Sequence, residues 1–262
     1  MTLRFLLAAL ILGVTMPIST LAADPPNNRD RFSAAVFTDT AGHKLPYRLL
    51  EPAKAVAGTR YPLVIFLHGA GERGTDNEKQ LVHGMNDFAS DEIMAKYPAF
   101  VVAPQCPDGK RWVEVDWTLD SHQMPAQPSE SMSSLFELID TLTKTKAIDT
   151  RRIYITGLSM GAFGVWDAVQ RRPELFAAAA PICGGGDPVL AKQIHFVPIW
   201  AFHGDEDKTV KVNRSREMIE ALRNLDEEPK YTEYKGVGHD SWTRTYKDPE
   251  LYEWLFDQRK KQ

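Results

Sequence analysis

The stretch Arg152-Ile153-Tyr154-Ile155-Thr156-Gly157-Leu158-Ser159-Met160-Gly161-Ala162-Phe163-Gly164-Val165-Trp166-Asp167-Ala168-Val169 decides the reading of this chain. Its first five residues are apolar and β-branched, the pattern of a buried strand. The residues from Ala162 onward read as a helix. Between them stands Gly157-Leu158-Ser159-Met160-Gly161, a G-x-S-x-G pentapeptide in the strand-to-helix context of a nucleophile elbow. Such a turn forces the serine into a strained conformation and lifts its Oγ clear of the backbone. The small residues two before and two after it leave room for neighbouring chain. Without the flanking strand and helix the motif would be an ordinary Gly-rich turn.

The same alternation runs through the rest of the chain. Phe32–Phe37, a turn at 39–42 and Lys44–Leu50 read as an antiparallel hairpin at a sheet edge. Tyr61–Leu67 and Ala99–Ala103 are apolar runs typical of buried strands. Phe176–Ile182, Val197–Phe202 and Tyr231–Tyr234 complete the strand set. Helical patterns fall over about 78–96, around Leu135, Ile139 and Leu142, over 214–225, and after Asp248-Pro249-Glu250, where a cap precedes proline at the first position. Strands alternating with helices imply an α/β fold with a mostly parallel sheet covered on both faces.

Length and composition agree with one domain. The chain has 262 residues, enough for a large core. Residues 1–23 read as a secretory signal peptide: Arg4, an apolar run from Phe5 to Val14, and small residues at Thr20-Leu21-Ala22. The apolar run is shorter than the roughly 20 residues of a membrane span, so no stable membrane anchor is expected. Residues 24–262 then form a single catalytic domain, secreted or periplasmic. Losing Arg4 moves the net charge from −4 to about −5. A mildly acidic surface argues against nucleic acid as a partner. The two cysteines, Cys106 and Cys183, fit either a disulfide or two small buried hydrophobes. The sequence has no H-E-x-x-H, no cysteine-pair zinc spacing and no calcium loop. No metal and no cofactor are expected.

A serine hydroxyl needs a base within hydrogen-bond reach, and in such sheets site residues gather at the carboxyl ends of strands. Downstream of Ser159, His203-Gly204-Asp205-Glu206-Asp207 follows one strand and Gly236-Val237-Gly238-His239-Asp240 follows another. The chain order is serine, acid, histidine. His239 is the candidate base. Asp207, Asp205 and Glu206 compete as the acid that orients it. Met160 N–H, just after the serine, is one candidate oxyanion donor.

With these residues in hand the chain resembles the α/β-hydrolase superfamily. It is most similar to small secreted esterases of the predicted-peptidase, polyhydroxybutyrate-depolymerase-like and dienelactone-hydrolase-like group. The resemblance rests on Leu67-His68-Gly69-Ala70-Gly71-Glu72-Arg73-Gly74, Pro104-Gln105-Cys106-Pro107, the elbow, Ile182-Cys183-Gly184-Gly185, and the two strand-end segments above. It implies Asp207 as the acid, through the spacing His-Gly, two residues, Asp, two residues, Val. It also implies esters over amides as substrates, small or polymer-linked. Ala70 N–H is the expected second oxyanion donor, with Gly71 as the alternative. Gly71, Glu72, Trp112 and Trp117 are the candidate substrate contacts, although Glu72 pairing with Arg73, and packing for the two tryptophans, fit equally well. His68 and His203 are read as shaping their loops. The short segment between Cys183 and Val197 leaves no room for a large lid. The alternatives are a prolyl-oligopeptidase-type peptidase and a non-catalytic module on the same fold.

Overall fold

Tyr61–Leu67 (β3) is buried along its whole length, and its two faces build two separate cores. Leu63, Ile65 and Leu67 enter one apolar cluster; Val64 and Phe66 enter the other. This is the period-2 signature of a strand covered on both sides.

The computed structural model describes residues 27–260. The signal-peptide reading of residues 1–23 lies outside the described residues. The other strands are Ser33–Thr38 (β1), Lys44–Leu50 (β2), Phe100–Pro104 (β4), Ile148–Leu158 (β5), Ala178–Ile182 (β6), Trp200–Gly204 (β7) and Lys230–Tyr234 (β8). They form one eight-stranded sheet in the order β1-β2-β4-β3-β5-β6-β7-β8. The β1–β2 hairpin is antiparallel, and β2 joins β4 antiparallel. Every pairing from β4 to β8 is parallel.

Helices Met85–Phe88 (α1), Asp91–Lys96 (α2), Glu130–Thr145 (α3), Met160–Arg171 (α4), Asn213–Arg223 (α5), Trp242–Tyr246 (α6) and Pro249–Asp257 (α7) cover the sheet. Helix α3 starts at Ser129, whose hydroxyl accepts from Met132 N–H at 3.0 Å. Its buried face, Leu135, Leu138, Ile139 and Leu142, joins Val165 of α4 and Met218 of α5 in the first cluster. Phe88 of α1, Tyr246 of α6 and Leu251 of α7 belong to the second.

One expectation needs correction. The helix anticipated over 78–96 is broken into short pieces, a 3-10 turn at Lys79–Leu81 and helices α1 and α2. Gly84 stands between them at φ +70°, and a Cβ there would lie 2.7 Å from the Tyr246 ring. Of the two readings left open for the cysteines, the structure shows two small buried hydrophobes and no Cys106–Cys183 disulfide. Both thiols are free and buried, and they belong to the two clusters on opposite faces of the sheet. Among the described residues no helix is long and apolar enough to cross a membrane.

Candidate active site

Ser159 joins the end of β5 to the start of α4 with φ +53°. A non-glycine residue in that region stores strain of order 1–3 kcal/mol. What holds it is the closeness of the elements. A Cβ on Gly161 would sit 1.9 Å from Leu67 O, and one on Gly157 2.6 Å from the same atom. Glycine at both positions lets α4 press against the end of β3. Ser159 N–H donates to Ile182 O at 2.9 Å, tying the turn to β6.

His239 follows β8 and Asp207 follows β7. His239 Nε2 lies 2.9 Å from Ser159 Oγ, and its Nδ1 lies 2.7 Å from Asp207 Oδ2. The serine, imidazole and carboxylate thus form one unbroken hydrogen-bonded line. The Asp207 side chain is fully buried, whereas that of His239 is 22% exposed. Asp207 Oδ1 accepts from the N–H groups of Thr209 and Val210 at 2.8 and 2.9 Å. Its Oδ2 also lies 3.2 Å from His203 Nε2. Burial pushes the Asp207 carboxyl up, but the hydrogen bonds from His203, His239 and Val210 outweigh it. Its pKa drops well below the usual carboxylate range, so the group stays anionic. Asp205, the competing acid, instead accepts from Gly236 N–H at 2.7 Å and braces the loop that carries His239.

The two candidate oxyanion donors also emerge at element ends. Met160 is the first residue of α4, and Ala70 the first of the 3-10 turn Ala70–Glu72. First-turn amides have no acceptor within their own helix. The Ala70 turn is held from below by groups the sequence placed only loosely. His68 Nδ1 bonds Gly69 O at 2.6 Å and its Nε2 accepts from Cys106 N–H at 2.9 Å. Burial draws the His68 pKa down to about 4, so the ring is neutral. Gln105, fully buried, donates to Glu72 O at 3.1 Å. Arg73 Nε donates to Ala70 O at 2.9 Å. That accounts for the Pro104-Gln105-Cys106-Pro107 segment: it is the scaffold of the neighbouring loop.

The candidate substrate contacts divide. Gly71 is exposed, with open space where a Cβ would stand. Glu72 does not pair with Arg73; its Oε1 lies 3.6 Å from His83 Nε2. Trp112 is a correction: it is completely buried, its Nε1 donates to His68 O at 3.1 Å, and it supports the loop from inside. Trp117 is half-buried under the Arg111 guanidinium, 4.5 Å from the ring centre. Sequence reasoning missed His83 as a neighbour of this site. The His83 ring packs 5.4 Å from Trp242, and Trp242 packs edge-on against His239 at 5.1 Å.

One group of potential metal ligands coincides with the site: Cys183, Asp207 and His239 offer atoms within 4.8 Å of one another. Two of these atoms are already committed to each other in the 2.7 Å bond. Burial pushes the Cys183 thiol up, so it keeps its proton and makes a poor ligand. Two surface depressions, one at Tyr61 and Arg152 and one at Phe176 and Phe196, lie at the opposite ends of the strands and do not include Ser159.

An eight-stranded, mostly parallel sheet with helices on both faces and a serine elbow after a central strand defines the α/β-hydrolase class. Within that class, the chain belongs to the phospholipase/carboxylesterase family, whose model matches residues 54–250. It is similar to a crystal structure of a thermostable esterase, at 41% identity and a TM-score of 0.84, covering 89% of this chain and 64% of that one. It is also 29% identical over 124 residues to poly(3-hydroxyalkanoate) depolymerase C of Paucimonas lemoignei, covering 47% of this chain and 28% of that protein. A bifunctional acetylxylan esterase/xylanase, XynS20E, of Neocallimastix patriciarum is 25% identical over 164 residues, covering 62% and 22%. The chain therefore spans about a quarter of the length of these two curated relatives.

Proposed function

We propose that this chain is an exported serine hydrolase that cleaves carboxylic esters through an acyl-enzyme. The observation that carries the reading is the continuous Ser159–His239–Asp207 line, at 2.9 and 2.7 Å. Ser159 Oγ attacks the ester carbonyl while His239 Nε2 takes its proton. Asp207 holds the imidazole with Nδ1–H toward the carboxylate and stabilises the cation that forms. Negative charge moves onto the carbonyl oxygen, where the N–H groups of Met160 and Ala70 receive it. His239 returns the proton to the leaving alcohol, and the ester C–O bond breaks. Water, deprotonated by the same imidazole, then releases the acid and regenerates Ser159.

The family and the esterase relatives support esters over amides. The relatives named for poly(3-hydroxyalkanoate) and acetylxylan support small or polymer-linked esters as substrates. Gly71, Glu72 and Trp117 are the proposed substrate-side residues. Export rests on the signal-like residues 1–23, with one catalytic domain following from residue 24.

The test is a series of p-nitrophenyl esters, acetate through palmitate, with wild type beside Ser159→Ala. Wild type turns them over and Ser159→Ala falls to background. Equal turnover by both proteins removes Ser159 from the chemistry.

A further inference from the structure

Among the described residues, the buried hydrogen-bonding atoms without a partner near the site are Glu72 Oε2, Trp242 Nε1 and, between His239 and Trp242 in sequence, Ser241 Oγ; the first and second bear on the inference. Leaving such groups unpaired is costly, and more so for a charge. Their surroundings connect them to the chemistry. A Cβ on Gly69 would lie 3.0 Å from Glu72 Oε2 and 3.6 Å from Ser159 Cβ, so carboxylate and nucleophile flank the same point. From Glu72 the wall continues through His83 to Trp242 and so to His239, by the contacts described above. His239 hands its proton to the departing alcohol. The wall is therefore on the leaving-group side.

A carboxylate in that place opposes the negative charge of the tetrahedral intermediate unless something offsets it. Burial pushes Glu72 up, but His83 foremost, with the His68 ring and the Gly69 N–H beside the carboxylate, outweighs it and the net direction is down. The group is an anion at neutral pH. An unpaired acceptor and an unpaired donor along one wall are both satisfied by hydroxyls, which donate and accept. An ammonium group can only donate.

Resting on the ester-hydrolase reading, we propose that Glu72, His83 and Trp242 form an alcohol subsite for polyol esters. A hydroxyl vicinal to the scissile ester oxygen donates to Glu72 Oε2, and a hydroxyl oxygen accepts from Trp242 Nε1.

The experiment compares 1-butyrylglycerol with 2,3-dimethoxypropyl butyrate, which keeps the oxygens and loses the donors. A second pair, a methyl glycoside monobutyrate and its O-methylated form, shows whether glycerol-like or sugar-like alcohols are taken. The readout is the ratio of kcat/KM, hydroxylated over methylated, for wild type, Glu72→Ala and Trp242→Phe. A built hydrogen-bonding site discriminates strongly against the analogue lacking its partner. In at least one pair the wild-type ratio is expected to be tenfold or more, falling to near one in Glu72→Ala and part of the way in Trp242→Phe. Because it is a ratio, a general loss of folded protein leaves it unmoved. A wild-type ratio near one in both pairs, or one that survives Glu72→Ala, overturns the subsite. Turnover of p-nitrophenyl butyrate by wild type, absent in Ser159→Ala, shows separately that the hydrolase reading stands. If wild type leaves that ester untouched, the reading and the subsite fall together.

Discussion

Asp207 shares one carboxylate oxygen between two imidazoles, His239 at 2.7 Å and His203 at 3.2 Å. Its partners make it hard to replace. Asp207→Asn is expected to lower kcat on p-nitrophenyl acetate by a factor on the order of 10³–10⁴, because an amide no longer enforces the required tautomer. Asp205→Asn, which touches only the His239 loop, is expected to cost less than about tenfold. A reversed order would exchange their roles. His68 makes a prediction about stability. Its folded pKa is about 4 against an ordinary 6.5, so the unfolded chain takes up a proton first. Its contribution is complete above about pH 6.5 and declines as pH falls toward 4. Urea titrations should show wild type losing about 2 kcal/mol between pH 7 and pH 5 through this ring, and His68→Gln should lose correspondingly less. These residues differ in how readable they were. Ser159, Asp207 and His239 each follow a strand with clear periodicity, so position and chemistry coincide. The Glu72–His83 contact was not readable, since it joins an irregular loop to a broken helical segment.

At the scale of elements, the elbow depends on β3 and α4 touching. Gly161→Ala is expected to destabilise by at least about 3 kcal/mol or prevent folding, because the clash is with backbone that has nowhere to move. Gly71→Ala, with open space around it, should stay within about 0.5 kcal/mol of wild type. Thermal or urea unfolding of the pair checks both. The strands were legible because parallel, doubly covered strands are apolar throughout, as in β3 and β4. The region from Glu78 to Lys96 was not. Its helical periodicity is real, but Gly84 must let the Tyr246 ring approach, and that tertiary contact divides the helix. Trp112 shows the same limit, since an irregular segment after a strand has no period to reveal which way its side chains face.

For the molecule as a whole, the architecture followed from alternation alone, and what the sequence left open was sidedness. Cys106 and Cys183 both come just after central strands, yet β4 and β6 are separated by β3 and β5, and the two thiols enter different faces. A linear pattern places a residue along a strand; only the assembled sheet says which layer it enters.

The groups that meet at Ser159 come from the ends of β3, β5, β7 and β8. On the proposed reading, hydrolysis then acts as a coincidence detector for folding. No contiguous fragment shorter than the span from the oxyanion turn to His239 carries every part, and the pairing of β2 with β4 closes a long loop around β3 before the sheet is complete. Because distant segments must be joined before any of them is rewarded, a nascent or partly unfolded chain is expected to stay catalytically silent. On the proposed reading, activity is expected only once the strands from β3 to β8 have paired.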